Sequence, residues 1–153
     1  MTIARSVRQA GVGEADAVGQ LLHDFNTEFN EPTPGPRAVA ERVTKLLADG
    51  DITVLLAGAG PDGLAVLRFR PSLWKDALHC YLEELYVVPD RRGRGIGRAL
   101  LEAAINIARR EGAADMDLGT GEDDTAARGL YESLGFSNRE SNGALNFVYE
   151  REL

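Results

Sequence analysis

The feature that most constrains the fold is a strand, a glycine-rich loop and a helix in direct succession between residues 87 and 101. The loop reads Arg91-Arg92-Gly93-Arg94-Gly95-Ile96-Gly97 and follows an apolar run that ends at Pro89. Glycines allow a tight turn and bring bare N–H groups close to a ligand. The first helical turn adds unpaired N–H groups and the positive end of the helix dipole. This order of elements predicts a backbone site for an anion such as phosphate.

Three loop chemistries could use this stretch, besides a plain glycine-rich turn before a helix. A Walker loop is excluded, because Gly97 is followed by Arg98 and not by Lys and then Ser or Thr. A dinucleotide fingerprint is one residue short at its third glycine, although Asp115 and Asp117 lie near the position of a ribose-binding acid. The third pattern, R/Q-x-x-G-x-G/A, fits from Arg92 to Gly97 and follows a Val-x-Pro sequence.

Composition and charge limit the classes of function. The 153 residues include 24 acidic and 17 basic side chains, a formal net charge of −7, and 44% are hydrophobic. A chain of this length is expected to form a single domain, residues 1–153, with a substantial core. The negative charge argues against nucleic-acid binding and suits cationic partners. We expect no signal peptide and no membrane span, and the lone Cys80 favours a cytoplasmic location.

Hydrophobic periodicity predicts the element order β-α-α-β-β-β-α-β-α-β. The first strand is expected within Thr2–Ala10, with Ile3 and Val7, and the last within Ala144–Glu152. The other predicted elements are helices from Glu14 and around Val39–Leu47, strands at Ile52–Ala57, Leu64–Phe69 and Ala77–Val88, a helix at Ile96–Glu111, a strand near 114–120, and a helix capped by Asp123 or Asp124. Tight turns make the early strands antiparallel, whereas a helical crossover makes the pair 81–88 and 114–120 parallel. We therefore expect an α/β (α+β) fold with a mixed, mostly antiparallel sheet and helices on both faces.

Two motifs resemble the GNAT superfamily of N-acetyltransferases. The loop from Arg92 to Gly97 resembles the acetyl-coenzyme A loop of that superfamily. The segment Asp124–Phe136 is similar to the pattern N-x-x-A-x-x-L-Y-x-x-x-G-F, with Asp124 in place of the usual asparagine. The resemblance is specific over Tyr81–Phe136, and the order of elements over the whole chain is also that of the GNAT fold.

The resemblance implies an acetyl-CoA-dependent N-acetyltransferase that acts on a primary amine of a small molecule or peptide. It implies direct transfer in a ternary complex without a metal, and such folds often pair as homodimers. The cofactor-binding residues that it implies are Leu85, Tyr86, Val87, Val88, Arg92, Gly93, Arg94, Gly95, Ile96, Gly97, Arg98, Asp124, Ala127 and Tyr131. The alternatives are a catalytically silent coenzyme A-binding sensor or regulatory module and a dinucleotide-binding protein.

Acetyl transfer to an amine requires a group that accepts the amine proton, or a site that favours the neutral form of the amine. Glu83 and Glu84 are the candidates, and strict strand alternation predicts that they face opposite sides of the sheet, with Leu82, Tyr86 and Val88 on the side of Glu84. The likeness of Tyr81–Val87 to diamine acetyltransferases favours Glu83, with Glu84 in reserve.

The reaction also requires a donor for the developing oxyanion and a proton for the departing thiolate. The resemblance implies Tyr131 as the acid and a backbone N–H near Val87 or Val88 as the oxyanion donor. Aromatic and acidic side chains together suit a cationic acceptor. The candidates for such a pocket are Phe25, Glu28, Phe29, Glu31 and Trp74.

Overall fold

The computed structural model describes residues 6–153, so the predicted strand position Ile3 lies outside the described residues. The regular elements are β1 (Val7–Gln9), α1 (Ala15–Glu28), α2 (Pro36–Ala48), β2 (Thr53–Ala57), β3 (Gly63–Pro71), β4 (Leu78–Val87), α3 (Ile96–Arg110), β5 (Ala113–Leu118) and α4 (Thr125–Ser133). Short 3-10 turns precede α1 and follow β4. The predicted order of elements is confirmed from β1 to α4.

The five strands form one sheet in the order β1-β2-β3-β4-β5, and the first four pair antiparallel. The starts of β4 and β5 lie side by side, because the Leu78 N–H donates to the Gly112 carbonyl at 3.2 Å. These two strands therefore run in the same direction. The mostly antiparallel sheet confirms the predicted fold class, and it differs from the open parallel sheet on which dinucleotide fingerprints occur.

Helices pack on both faces of the sheet. The core beneath α1 and α2 includes alternate residues of neighbouring strands, namely Val54, Leu56, Leu64, Val66 and Tyr86. The intervening strand residues face α3, whose Leu100, Leu101 and Ala104 are fully buried. Both faces of β2 and β3 are thus covered, which explains why their sequences are almost continuously apolar.

The helices α1 and α2 approach closely at Gly19, which is buried. A Cβ atom at this position would lie 2.7 Å from the Ala40 backbone nitrogen and 2.8 Å from its Cα. Such distances are shorter than van der Waals contact, so the packing of the two helices depends on the missing side chain. The start of α2 is set by Pro36, whose fixed φ suits the first helical turn.

One residue of β4 is extra relative to β3. Val66 lies opposite Glu84, but the next residue, Leu67, lies opposite Leu82, so Glu83 is the additional residue of a β-bulge. Bulges arise from the pairing of two strands, and the alternation along one strand does not reveal them.

The bulge corrects the predicted faces of β4. Tyr86 lies opposite Leu64 and belongs to the core beneath α1. Leu82 lies opposite Leu67. Since side chains alternate along a strand, Leu67 points to the opposite face of the sheet from Leu64 and Val66, toward α3. The prediction that Leu82 and Tyr86 share a face is wrong, because the extra residue reverses the alternation between them.

The described chain divides into two compact units, one that ends at Met116 and one over Asp117–Leu153. The first unit contains α1 to α3, the strands β1 to β4 and most of β5, and the second contains the end of β5, α4 and the C-terminal segment. The prediction of one domain over residues 1–153 stays a prediction. No helix in the described part of the chain has the length and apolar character needed to cross a membrane.

The predicted last strand at Ala144–Glu152 is wrong. Within the described residues this segment forms only an isolated antiparallel bridge between Leu145 and Arg139. The side chains of Phe147, Val148 and Tyr149 are 72%, 73% and 91% exposed. Alternating apolar residues stabilise a strand when neighbours cover one face. These side chains lack such a cover, so the sequence pattern alone does not produce a strand.

Candidate active site

The junction between β4 and α3 presents a set of backbone donors. Gly93 and Gly95 both have φ of 76°, in the left-handed region that favours glycine. Gly95 is the N-cap of α3, and no side chain caps the helix. The first intrahelical bond is donated by the Ala99 N–H to the Gly95 carbonyl at 3.0 Å. The N–H groups ahead of Ala99, in the turn that contains Gly97, have no acceptor within the helix, as the predicted anion site requires.

Arg92 connects this loop to the end of α1. Its two terminal nitrogens each lie 2.8 Å from a carboxylate oxygen of Glu28, and its Nε donates to the Val87 carbonyl at 2.9 Å. The Tyr86 hydroxyl also donates to Glu28, at 3.0 Å, and the guanidinium carbon of Arg92 lies 5.5 Å from the centre of the Tyr86 ring. Arg92, expected to contact the cofactor, is thus engaged with a protein carboxylate.

These contacts shift two pKa values in the cluster. The hydrogen bonds from Arg92 hold the pKa of Glu28 below its usual range. Burial, and then the hydrogen bond to Glu28, raise the pKa of Tyr86 to about 12. Glu28 is therefore ionised and Tyr86 protonated at neutral pH, which keeps all three groups hydrogen-bonded.

The other loop arginines differ in their partners. Arg91 lies 3.8 Å from Asp62, and Arg98 lies 3.9 Å from Glu102. Arg94 is exposed and has no hydrogen bond or ion pair with residues 6–153. Its charge is therefore available to an anion at the start of α3.

One predicted oxyanion donor is already occupied. The Val88 N–H donates to the Asp62 carbonyl at 2.9 Å. Val87, the other predicted position, lies at the end of β4, opposite Gly63.

Glu83 and Glu84 lie on the same side of the sheet, contrary to expectation. Glu84 lies opposite Val66, on the face that α1 and α2 cover. The Nε of Arg68 donates to Glu83 Oε2 at 2.5 Å, and Arg68 is two residues beyond Val66 on that face. The bulge at Glu83 therefore places both carboxylates on the α1 side.

The two carboxylates have different electrostatic environments. Burial, and to a smaller extent the charge of Glu83, raise the pKa of Glu84 to about 7. Glu83 instead pairs with the positive charge of Arg68. Glu84 can therefore take up or release a proton near neutral pH.

Three of the predicted pocket residues come together at the end of α1. The Phe25 ring stacks on Tyr86 with 4.7 Å between ring centres, and the edge of Phe29 meets Phe25 at 5.5 Å. Glu28 lies beside them through its bond to Tyr86. Trp74 is not part of this group, since it precedes β4 at the end opposite to Val87 and is 89% exposed.

The second unit contains the other motif. Asp124 caps α4, and its Oδ1 accepts a hydrogen bond from the Ala127 N–H at 3.3 Å, which confirms the predicted cap. Tyr131 is half-buried, with its ring 6.1 Å from that of Phe136. Burial, and then the charge of Asp124, raise the pKa of Tyr131 to about 12, so its hydroxyl carries a proton at neutral pH.

Arg68 is a candidate site residue that was not predicted from the sequence. A positive charge between Leu67 and Phe69 in an apolar strand is the only signal in the sequence, and it does not identify Glu83 as the partner. That pairing depends on the bulge in the neighbouring strand.

A cleft of about 440 Å³ lies away from these groups, between β1 and the C-terminal half of α3. Its lining residues are Val7, Arg8, Gln9, Leu55, Ala103, Asn106, Ile107 and Arg110, none of which is a predicted site residue. Among residues 6–153, no three His, Cys, Asp or Glu side chains are grouped as metal ligands.

Comparisons with known proteins identify the family. The model of the acetyltransferase (GNAT) family matches residues 18–136. A crystal structure from Arthrobacter sp. FB24, of a protein named provisionally as an acetyltransferase, superposes with a TM-score of 0.89 at 48% identity and covers 97% of this chain and 96% of that chain.

Two relatives have named acceptors. Mouse thialysine N-epsilon-acetyltransferase is 33% identical over 91 residues, which is 59% of this chain. Aminoglycoside N(6')-acetyltransferase type 1 of Stenotrophomonas maltophilia is 29% identical over 143 residues, 90% of this chain and 89% of that protein. The match spans 53% of the mouse protein and 26% of the uncharacterized N-acetyltransferase MJ1207 of Methanocaldococcus jannaschii. The chain belongs to the acetyltransferase (GNAT) family, a family of N-acetyltransferases.

Proposed function

We propose that this protein transfers an acetyl group from acetyl-CoA to a primary amine of a small molecule or peptide, by direct transfer in a ternary complex. The observation that carries the proposal is the half-buried Glu84, with a pKa of about 7, in the strand that leads into the uncapped start of α3. The relatives named for thialysine and for aminoglycosides support an amine as the acceptor.

The residues at the start of α3 fit the pyrophosphate of coenzyme A. The backbone N–H groups of the first helical turn, the left-handed Gly93 and Gly95, and the unengaged Arg94 supply donors and positive charge. The bound cosubstrate supplies an acetyl thioester. From the resemblance of the two motifs we propose further contacts with the cosubstrate by Leu85, Tyr86, Val87, Val88, Arg92, Ile96, Gly97, Arg98, Asp124, Ala127 and Tyr131.

In the proposed reaction, Glu84 takes a proton from the acceptor ammonium, directly or through a water molecule, and leaves a neutral amine. A C–N bond then forms to the acetyl carbon and the C–S bond breaks. Tyr131 donates its proton to the sulfur and regains one from the amine nitrogen or solvent. Of the two protons that the ammonium loses, one ends on coenzyme A and the other in solvent, so the reaction is balanced.

Glu84 is preferred to Glu83 as the proton acceptor for an electrostatic reason. A general base works best when its pKa is close to the operating pH. The pKa of Glu84 is about 7, whereas the contact with Arg68 occupies one of the oxygens of Glu83. In the proposal the negative charge of Glu83 helps to raise the pKa of Glu84.

The test is the pH dependence of kcat/KM with acetyl-CoA and a panel of primary amines, for wild type, Glu84→Gln and Glu83→Gln. We expect the wild-type rate to fall as the pH decreases through about 7, because Glu84 becomes protonated. Glu84→Gln should lose this acidic limb and about 10²–10⁴-fold of the rate. Glu83→Gln should keep the limb and move it to lower pH, because a like charge is removed.

Two results would contradict parts of the proposal. If Glu83→Gln abolishes the acidic limb while Glu84→Gln retains it, the sequence-based preference for Glu83 is correct. If calorimetry detects acetyl-CoA binding but no amine in the panel is acetylated, the protein is a coenzyme A-binding module and not an active transferase.

Two further expectations belong to this proposal. A cytoplasmic location is supported by the absence of any possible intrachain disulfide, since Cys80 is the single cysteine and is buried. A homodimer is a prediction that light scattering of the purified protein would test.

A further inference from the structure

Arg68 is a partly exposed cation on the sheet face that carries Glu83 and Glu84. Its side chain is 41% exposed, and its Nε donates to Glu83. Its two terminal nitrogens make no hydrogen bond with residues 6–153. The outer edge of the guanidinium is therefore open to a ligand.

The contact with Glu83 differs from the one that Arg92 makes. Arg92 presents both terminal nitrogens to the two oxygens of Glu28, the bidentate geometry that best satisfies a carboxylate. Arg68 contacts Glu83 through Nε alone. If Arg68 only neutralised Glu83, the bidentate arrangement would be the more stable one. The single contact instead orients the guanidinium and leaves its bidentate edge unoccupied.

Arg68 and Glu84 lie within reach of one small molecule. Glu84 is opposite Val66, and Arg68 is two residues further along β3 on the same face. Arg68 also donates to Glu83, the residue that precedes Glu84, so its guanidinium lies beside this pair of carboxylates. Burial and the charge of Glu83 raise the pKa of Glu84, and no ion pair joins Arg68 to Glu84 among residues 6–153. A cation and a proton acceptor thus stand a short distance apart as separate groups.

We propose that Arg68 binds a carboxylate of the acceptor, so that the acceptor is an amino acid whose side-chain amine reaches Glu84. The inference rests on the proposed function and deepens it, because it names an amino acid with a terminal amine as the substrate class. Lysine and ornithine have this chemistry, with an amine and a carboxylate at the two ends of a flexible chain. Simple diamines have the amine but leave the guanidinium without a partner.

The experiment compares acceptors that differ in one group. Lysine, lysinamide and cadaverine share the terminal amine, but only lysine has the carboxylate. A hydrogen bond to a charged group contributes about 1.5–3 kcal/mol, so we expect lysine to exceed both in kcat/KM by about 10- to 100-fold. Arg68→Gln should remove this advantage mainly through KM for lysine, so that the ratio of kcat/KM for lysine to kcat/KM for cadaverine falls to about one.

Arg70→Gln is the matched control, because Arg70 is in the same strand and on the same face, two residues further from Glu84. It makes the same change of charge and should retain the preference for lysine. Arg68→Lys keeps the charge without the planar fork and should restore part of that preference. Thermal melts of each variant establish that it is folded.

The proposal is overturned if wild type acetylates cadaverine or lysinamide as well as lysine, or if Arg68→Gln slows all three acceptors alike. The second result would assign Arg68 to the orientation of Glu83. If acetyl-CoA binds and no amine of any class is acetylated, the proposed function fails and this inference fails with it. A protein that acetylates diamines but not amino acids keeps the proposed function and loses only the inference.

Discussion

Arg92 and Arg94 are two residues apart in the same loop, but their surroundings give them different roles. Arg92 holds Glu28 and the Val87 carbonyl, whereas Arg94 has no protein partner within residues 6–153. A sequence motif does not distinguish these two arginines, because it contains no information about their contacts. The distinction arises from Glu28, which is 64 residues away in the chain.

Arg94→Gln should weaken acetyl-CoA binding more than Arg92→Gln does. Loss of a charge-assisted contact to a phosphate should raise the Kd about two- to tenfold, and it should reduce the dependence of binding on salt. Arg92→Gln should chiefly lower the free energy of unfolding, because it breaks the contact between α1 and the loop. Calorimetric titrations at low and high salt, together with urea unfolding, measure both effects.

An unchanged salt dependence in Arg94→Gln would contradict this assignment. A larger loss of affinity in Arg92→Gln than in Arg94→Gln would show that Arg92 exchanges Glu28 for the cofactor.

The roles of residues could be predicted from the sequence where their partners are near in the chain. Gly95 at the start of α3 and Asp124 as the cap of α4 depend on only a few neighbouring residues. The shared face of Glu83 and Glu84 could not be predicted, because it results from a bulge against β3. Arg68 could not be identified as a site residue for the same reason.

The close approach of α1 and α2 depends on Gly19. Gly19→Ala should destabilise the protein by about 1–3 kcal/mol, since the new methyl group meets the Ala40 backbone at 2.7 Å. Gly129→Ala in α4 is the matched control, because a Cβ there has no neighbour within 4 Å. It should be neutral or stabilising by up to about 1 kcal/mol, from the helix propensity of alanine.

Urea unfolding of both variants tests this prediction. Equal free energies of unfolding for Gly19→Ala and wild type would show that α1 and α2 can move apart without a loss of stability. A destabilised Gly129→Ala would show that α4 packs more tightly at that position than the open space indicates.

Helices and strands were predictable where apolar residues recur at one constant spacing and where glycine, proline or an acidic cap marks the ends. The helix at Ile96–Arg110 and the hairpin of β2 and β3 satisfy both conditions. The segment Ala144–Glu152 has the period of a strand, but its apolar side chains are exposed. Periodicity indicates which face could be buried, and a strand forms only if another element covers that face.

The net charge of −7 for the protein contrasts with the arginines of the β4–α3 loop. Acetyl-CoA at about 100 times its Kd should stabilise the native state by about 2.7 kcal/mol, a rise of about 5–10 °C in Tm for a chain of this size. Salt should reduce the rise, because it screens the attraction to the arginines. Gly97→Val should abolish it, because the side chain would obstruct the backbone donors at the start of α3.

Differential scanning fluorimetry with acetyl-CoA, with NAD and without ligand measures these shifts. NAD should leave the Tm of wild type unchanged. A rise in Tm of Gly97→Val equal to that of wild type would remove the start of α3 from the cofactor site.

The bulge in β4 does not affect the strand pairs on either side of it. The pairs on either side of Glu83, Val66 with Glu84 and Leu67 with Leu82, are those of an uninterrupted ladder. A chain that lacked Glu83 alone could therefore keep every other strand pair and both cores. The strand pairing therefore does not require the second carboxylate. A single-residue insertion or deletion in this strand could thus change the acidity of Glu84 and the anchoring of Arg68 without repacking the molecule.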